Sequence, residues 1–230
     1  MGNNNDIDAV AVLGDRTRGR LYRFIRGARR AVTRDEAAAE VGISRKLAAF
    51  HLDRLVRSGL LEPTFERPAG EVAVPGRAPK RYRVSPAEIA ITIPERRYDL
   101  LGEILVDAVT EAESGQPVAA TAERIATDRG RSLGAALRQE HVPGRLGPER
   151  SLALAAESLA TAGFEPQARN GEIQLHNCPF HALAQRAPAL VCGINAAFLA
   201  GFLEGLEARR VRADLDPADH RCCVVLRRVR

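Results

Sequence analysis

Apolar residues recur along most of this chain at helical spacing, interrupted by short turn signals, and strict alternation is confined to a few brief stretches. Over residues 15–30, Leu21, Phe24 and Ile25 fall at i, i+3 and i+4, which predicts an amphipathic helix. Thr33 and Glu36 have capping-box spacing: the hydroxyl can accept from a free amide at a helix start while the glutamate reaches back. That helix ends at Val41-Gly42, where glycine supplies a left-handed turn residue. Ile43 can plug the core, and Ser44 can cap a further helix that runs to about Ser58 and stops at Gly59. Helix, short glycine-containing turn, helix is the helix-turn-helix pattern. Leu60–Glu66 and Lys80–Ser85 follow, separated by a Gly/Pro-rich loop. In the second stretch Tyr82 and Val84 alternate with Arg81 and Arg83, as in a strand. Two strands joined by a basic loop would form a wing.

Beyond the wing, Pro94 can open a helix that carries Tyr98, Leu101, Ile104, Leu105 and Ala108 to Glu113. Ser114–Pro117 breaks the pattern, and a second helix is predicted from about Val118 to Arg138. After a loop at His141–Arg145, a helix spans about Pro148 to Ala162. Two strands, Phe164–Ala168 and Glu172–His176, meet at Asn170-Gly171, a tight-hairpin signal. A long helix follows to about Arg209, with Gly193, Ala197, Gly201 and Gly205 forming a small-residue stripe suited to close helix packing. A last strand covers Cys222–Val229. The expected fold is α+β and mostly helical, in three parts. Residues 1–92 form a winged helix-turn-helix, 93–146 the central dimerisation or linker helices, and 147–230 a small α/β cysteine-containing domain.

Composition adds a bound and a bias. Hydrophobic residues make up 45% and charged residues 27%, the balance of an ordinary globular chain. No apolar run suggests a membrane span, and the polar start Gly2–Asp6 has no signal-peptide core, so the expected location is cytoplasmic with reduced thiols. The net charge of +5 is unevenly spread. Between Asp15 and Arg83, 17 basic residues stand against 8 acidic ones, whereas the chain from Val84 onward is slightly acidic. A local basic face is the footprint of a nucleic-acid binder, here double-stranded DNA.

A wheel at 100° per residue puts Ala48, Leu52, Leu55 and Gly59 on one face of the second helix of the pair. Lys46, Phe50, Asp53 and Arg57 fall opposite, flanked by Arg45, Ala49 and Arg54. A recognition helix offers its N-terminal residues to base edges in the major groove. Behind the Ser44 cap, Arg45 and Lys46 are therefore the candidates for guanine, and Ala49 or Phe50 for a thymine methyl. Asp53 would be repelled by phosphate and is expected to hold Arg57 at i, i+4. In the wing, Arg77, Lys80 and Arg81 would lie near phosphates or the minor groove. Gly14–Arg18, Gly42-Ile43-Ser44, His51-Leu52-x-x-Leu55 through Gly59-Leu60, and Gly76–Tyr82 together resemble the ArsR-like winged-helix regulators. Two long central helices with few aromatics, following a winged helix, suggest a dimer interface, and a homodimer would read an inverted-repeat operator; the alternative is that these helices pack only within the chain.

All four cysteines, Cys178, Cys192, Cys222 and Cys223, lie in the last quarter of the chain, with His176, His181 and His220 close by in sequence. Soft ligands gathered in this way suit zinc or an iron–sulfur centre. Pro179 fits the first turn of a helix, which would put the Cys178 thiolate at a helix N-terminus and lower its pKa. Asn177-Cys178, Pro188-x-x-x-Cys192-Gly193 and His220-Arg221-Cys222 resemble the SufR-type iron–sulfur regulators. That resemblance implies a transcription regulator, not an enzyme, whose C-terminal sensor domain binds a cluster, 4Fe–4S, through Cys178, Cys192 and Cys222. The first spacing is one residue longer than in the family, and Leu206 or a neighbour stands where some members carry a further cysteine. The fourth iron site is left to His181, Cys223, an exogenous ligand or nothing. Two further readings stay open. One is a zinc site of Cys178, His181, Cys192 and Cys222. The other is a metal-free thiol redox switch. A Cys178–His181 nucleophile lacks an orienting third residue.

Overall fold

Asp15, Thr33 and Ser44 each cap a helix in the computed structural model, which describes residues 2–65, 79–112, 116–141, 147–169 and 171–229. The fold is α+β and mostly helical, with two small antiparallel sheets. Its chain divides once, into Met1–Ile91 and Thr92–Arg230.

The first unit begins with α1 (Gly2–Leu13), unexpected behind so polar a start, which buries Ala9. α2 (Arg16–Ala28) opens where the Asp15 carboxylate accepts from the Arg18 amide at 2.9 Å. β1 (Val32–Thr33) leads into α3 (Arg34–Val41) through the complete capping box, with the Glu36 amide donating to Thr33 Oγ1 at 3.2 Å and the Thr33 amide to Glu36 Oε2 at 2.7 Å. Gly42 ends it at φ 70°, and Ser44 Oγ accepts from the Leu47 amide to start α4 (Arg45–Arg57). β2 (Leu61–Thr64) and β3 (Arg81–Val84) complete a sheet of order β1-β3-β2. Leu21, Ile25, Leu52, Leu55 and Tyr82 fill the core beneath.

The second unit contains α5 (Tyr98–Glu111), α6 (Val118–His141), α7 (Pro148–Thr161), β4 (Pro166–Arg169), β5 (Glu172–Leu175), α8 (His181–Arg186), α9 (Pro188–Gly205), β6 (Val211–Leu215) and β7 (Val224–Arg228). Its sheet order is β4-β5-β7-β6. The expected boundary near residue 146 does not divide the fold. Leu101 and Ile104 of α5 and Ile125 of α6 share one core with Leu175, Ile194, Phe202 and Leu226, so the helices of 93–146 are built into the cysteine-containing unit. Pro94 does not start α5. The Arg96 amide bonds Thr92 Oγ1 and the Arg97 amide bonds the Pro179 carbonyl, so neither begins a helical ladder.

Close packing between α6 and α9 sets the frame of this unit. A Cβ at Gly130 or Gly134 would collide with the backbone carbonyls of Phe198 or Phe202, and one at Gly201 or Gly205 with those of Thr127 or Arg131. Two backbones can approach this closely only where side chains are absent. Contrary to the expectation from sequence, α9 is long and apolar enough, by length and composition, to cross a membrane. The residues that give it this character, among them Ile194, Leu199 and Phe202, are buried in the core.

Candidate functional site

β5 and β7 pair antiparallel, Gln174 opposite Val225, and beyond the last pair the Cys222 amide donates to the Leu175 carbonyl at 2.7 Å. That pairing brings Cys222 beside the segment leaving β5, which carries Cys178 three residues on. Cys192 enters from the start of α9. All four cysteines are free and line one cavity of about 500 Å³, together with His176, His181, His220, Arg96 and Arg221. Cys178 and Cys222 are buried, Cys192 and Cys223 half-buried, and the three histidines exposed. Among the described residues, no three His, Cys, Asp or Glu side chains close on a single ion position.

One sulfur receives a side-chain N–H donor: Asn195 Nδ2 donates to Cys222 Sγ at 3.2 Å. Hydrogen bonding with the Cys222 thiol, then burial, pushes Cys178 well above the usual thiol range. At Cys222 the Cys178 thiol pulls downward, but Cys223 and burial outweigh it and leave the group at about 11. The backbone at Phe180 and at Val224 pulls the Cys178 and Cys222 thiols downward in part. Burial also raises Cys192. The expectation of a lowered Cys178 therefore fails. Pro179 and Phe180 form a turn and α8 begins only at His181, so Cys178 precedes the helix rather than capping it.

This turn is tied to the segment that opens the second unit. Arg96 Nη1 donates to Asn177 Oδ1 at 2.6 Å and to the Cys178 carbonyl at 2.8 Å. Asn177 Nδ2 donates to the carbonyls of Glu95, at 3.1 Å, and Gly163, and the Arg97 amide reaches the Pro179 carbonyl at 3.1 Å. Residues 95–97 and 177–179 are thereby held together directly after the point where the chain leaves the first unit.

On the first unit, the outer face of α4 exposes Arg45, Lys46, Phe50, Arg54 and Arg57, with Ala49 half-buried and Ser44 at the cap. Lys46 makes no ion pair among the described residues, while Arg45 Nε pairs with Asp35 at 2.9 Å. Asp53 does not hold Arg57 but Lys80, at 2.7 Å, and this raises the Lys80 pKa. Arg81 departs furthest from expectation. It is only 6% exposed, because β3 is the central strand of its sheet, paired with β1 as well as β2. A side chain so placed is part of the core, not a phosphate contact. Arg77 lies outside the described residues.

Three residues of interest were not singled out for chemistry by sequence reasoning. Leu47 is 43% exposed one turn before Phe50, and its wheel position away from Leu52 and Leu55 could have shown this. Asn195 could have been noticed as a lone amide in an apolar helix. Arg96 carried no signal, since its partners lie some eighty residues away. Comparison of the chain with protein-family models, curated proteins and solved structures gives no match.

Proposed function

We propose that this chain is a DNA-binding transcription regulator of the ArsR-like winged-helix kind, whose second unit holds an iron–sulfur cluster, 4Fe–4S, through Cys178, Cys192 and Cys222. The observation that carries the reading is that cysteines scattered over residues 178–223 line one cavity, with the Asn195 Nδ2 donor aimed at the Cys222 sulfur. Such a donor stabilises anionic sulfur, the form that binds metal. The donor set fits a cluster because each thiolate then meets its own iron, so the sulfurs need not converge on one ion position as a lone zinc requires. When bound, a cluster would supply redox-sensitive iron–thiolate bonds. Cys223 and His181, in the same cavity, are the protein groups available for a fourth iron.

Within the first unit, α3, the Gly42–Ser44 turn and α4 serve as the helix-turn-helix, and β2 and β3 as the arms of the wing. Lys46, Arg45, Leu47 and Phe50 present both charge and apolar surface to a major groove. α5 leaves Tyr98, Val106 and Val109 exposed on one side, an apolar stripe that a second copy would cover. A twofold dimer reads an inverted repeat with half-sites about one helical turn apart. Arg96 and Asn177 act as the relay. They hold the Cys178 turn to the chain leaving the DNA-reading unit, so a ligand that fixes Cys178 biases that chain, a coupling between two sites.

Protein purified without oxygen is expected to be brown, to contain iron and acid-labile sulfide, and to lose both in Cys178→Ser, Cys192→Ser and Cys222→Ser. A colourless, zinc-loaded protein would replace the cluster with zinc. Colour that survives all three substitutions would overturn the ligand assignment.

A further inference from the structure

Asn195 lies within α9, an apolar helix whose Val191, Ile194 and Phe198 are buried with it. The residue is 1% exposed. Its Nδ2 donates to Cys222 Sγ at 3.2 Å, while its Oδ1 is buried without a hydrogen-bond partner among the described residues. A half-satisfied buried amide stabilises a fold less than an apolar side chain filling the same space, so packing does not account for asparagine here. The amide does supply an N–H dipole directed at one sulfur. Cys192 stands one turn earlier on the same helix, so a single element carries one proposed ligand and the group that orients another.

We propose that Asn195 is a positioning residue for the metal centre, holding Cys222 Sγ in its ligating orientation and setting the electron density on that sulfur. The inference rests on the reading of Cys222 as a cluster ligand. An N–H···S bond withdraws charge from a thiolate and favours the more negative, reduced state of the centre, so its loss lowers the reduction potential. Loss of the orienting bond also weakens retention of the metal, and outer-shell partners of this kind are worth about 10–100-fold in metal affinity.

The test uses the full-length protein, reconstituted anaerobically with ferrous iron and sulfide, as wild type, Asn195→Leu, Asn195→Ala and the packing control Ile194→Val. Both asparagine variants remove the donor, so either one that folds by circular dichroism suffices. The expected result is cluster incorporation in all four, with a reduction potential more negative than wild type only in the Asn195 variants. Those variants should also give up iron to a chelator at about 10–100-fold lower chelator concentration. A folded Asn195 variant with the wild-type potential and wild-type chelator resistance overturns the inference and leaves the ligand assignment standing. A wild-type protein that incorporates no cluster overturns the underlying reading and this inference with it.

Discussion

Asn177→Ala separates the proposed relay from the proposed metal site. The side chain is 7% exposed and engages three groups: Arg96 Nη1, the Glu95 carbonyl and the Gly163 carbonyl. A hydrogen bond to a charged partner contributes about 1.5–3 kcal/mol and a neutral one about 0.5–1.5 kcal/mol. One Nδ2 serves both carbonyls, and Arg96 keeps its bond to the Cys178 carbonyl, so the contributions do not simply add. The net loss is about 2–4 kcal/mol. For a unit of this length each kcal/mol is worth roughly 3 °C, which predicts a melting temperature lower by about 6–12 °C. Calorimetry on the cluster-free full-length protein reads that value directly. Cysteine substitutions are not involved, so the variant should still incorporate iron and sulfide. Its DNA affinity, measured with and without cluster on one selected duplex, should differ by less than the wild-type ratio. A melting shift below about 2 °C would mean that the amide is not holding the segment. A full shift with an undiminished affinity ratio would refute the relay while leaving the structural role intact.

Gly201→Ala drives a methyl into the Thr127 carbonyl of α6, and overpacking of this kind costs about 1–3 kcal/mol, or more where backbone is hit. Chemical denaturation of the full chain should register the loss. Lys46→Ala should weaken DNA binding by about 1–3 kcal/mol if a base is contacted, or lower the salt slope by about one if a phosphate is. Arg81→Ala should lower stability and leave the salt slope unchanged, because the side chain is buried; a reduced slope would return it to the interface. Glu36 is held down at about 2 chiefly by its hydrogen bond from Arg30, with Thr33 assisting. A depressed carboxylate contributes stability above its ordinary value of 4.5 and loses it as pH falls toward 2. Glu36→Gln should therefore flatten the acid limb of the stability profile between those values, and an unchanged limb would count against the box.

Sequence made the helix boundaries of the first unit legible because their chemistry is local. The Thr33–Glu36 box, the Gly42 turn and the Ser44 cap each involve partners three or four residues away. It also marked the four cysteines that line one cavity, since residue type alone singled them out. What brings them there was not legible: the β5–β7 register and the Cys222–Leu175 hydrogen bond depend on strand pairing across some fifty residues. The same reason explains Arg81, whose alternation predicted an exposed face. Two residues of β1 make β3 a central strand, and a two-residue strand leaves almost no pattern in sequence. Helices α5 and α6 read as a separate segment because turn signals flank them, whereas the glycines of α6 and α9 join them to the same core.

X-ray absorption at the iron edge, on protein purified and frozen without oxygen, bears most directly on the proposed metal centre. The account predicts iron with sulfur in its first shell and a second shell of iron, the latter lost in Cys178→Ser, Cys192→Ser and Cys222→Ser. Absence of iron, or iron with no iron neighbour, would contradict it.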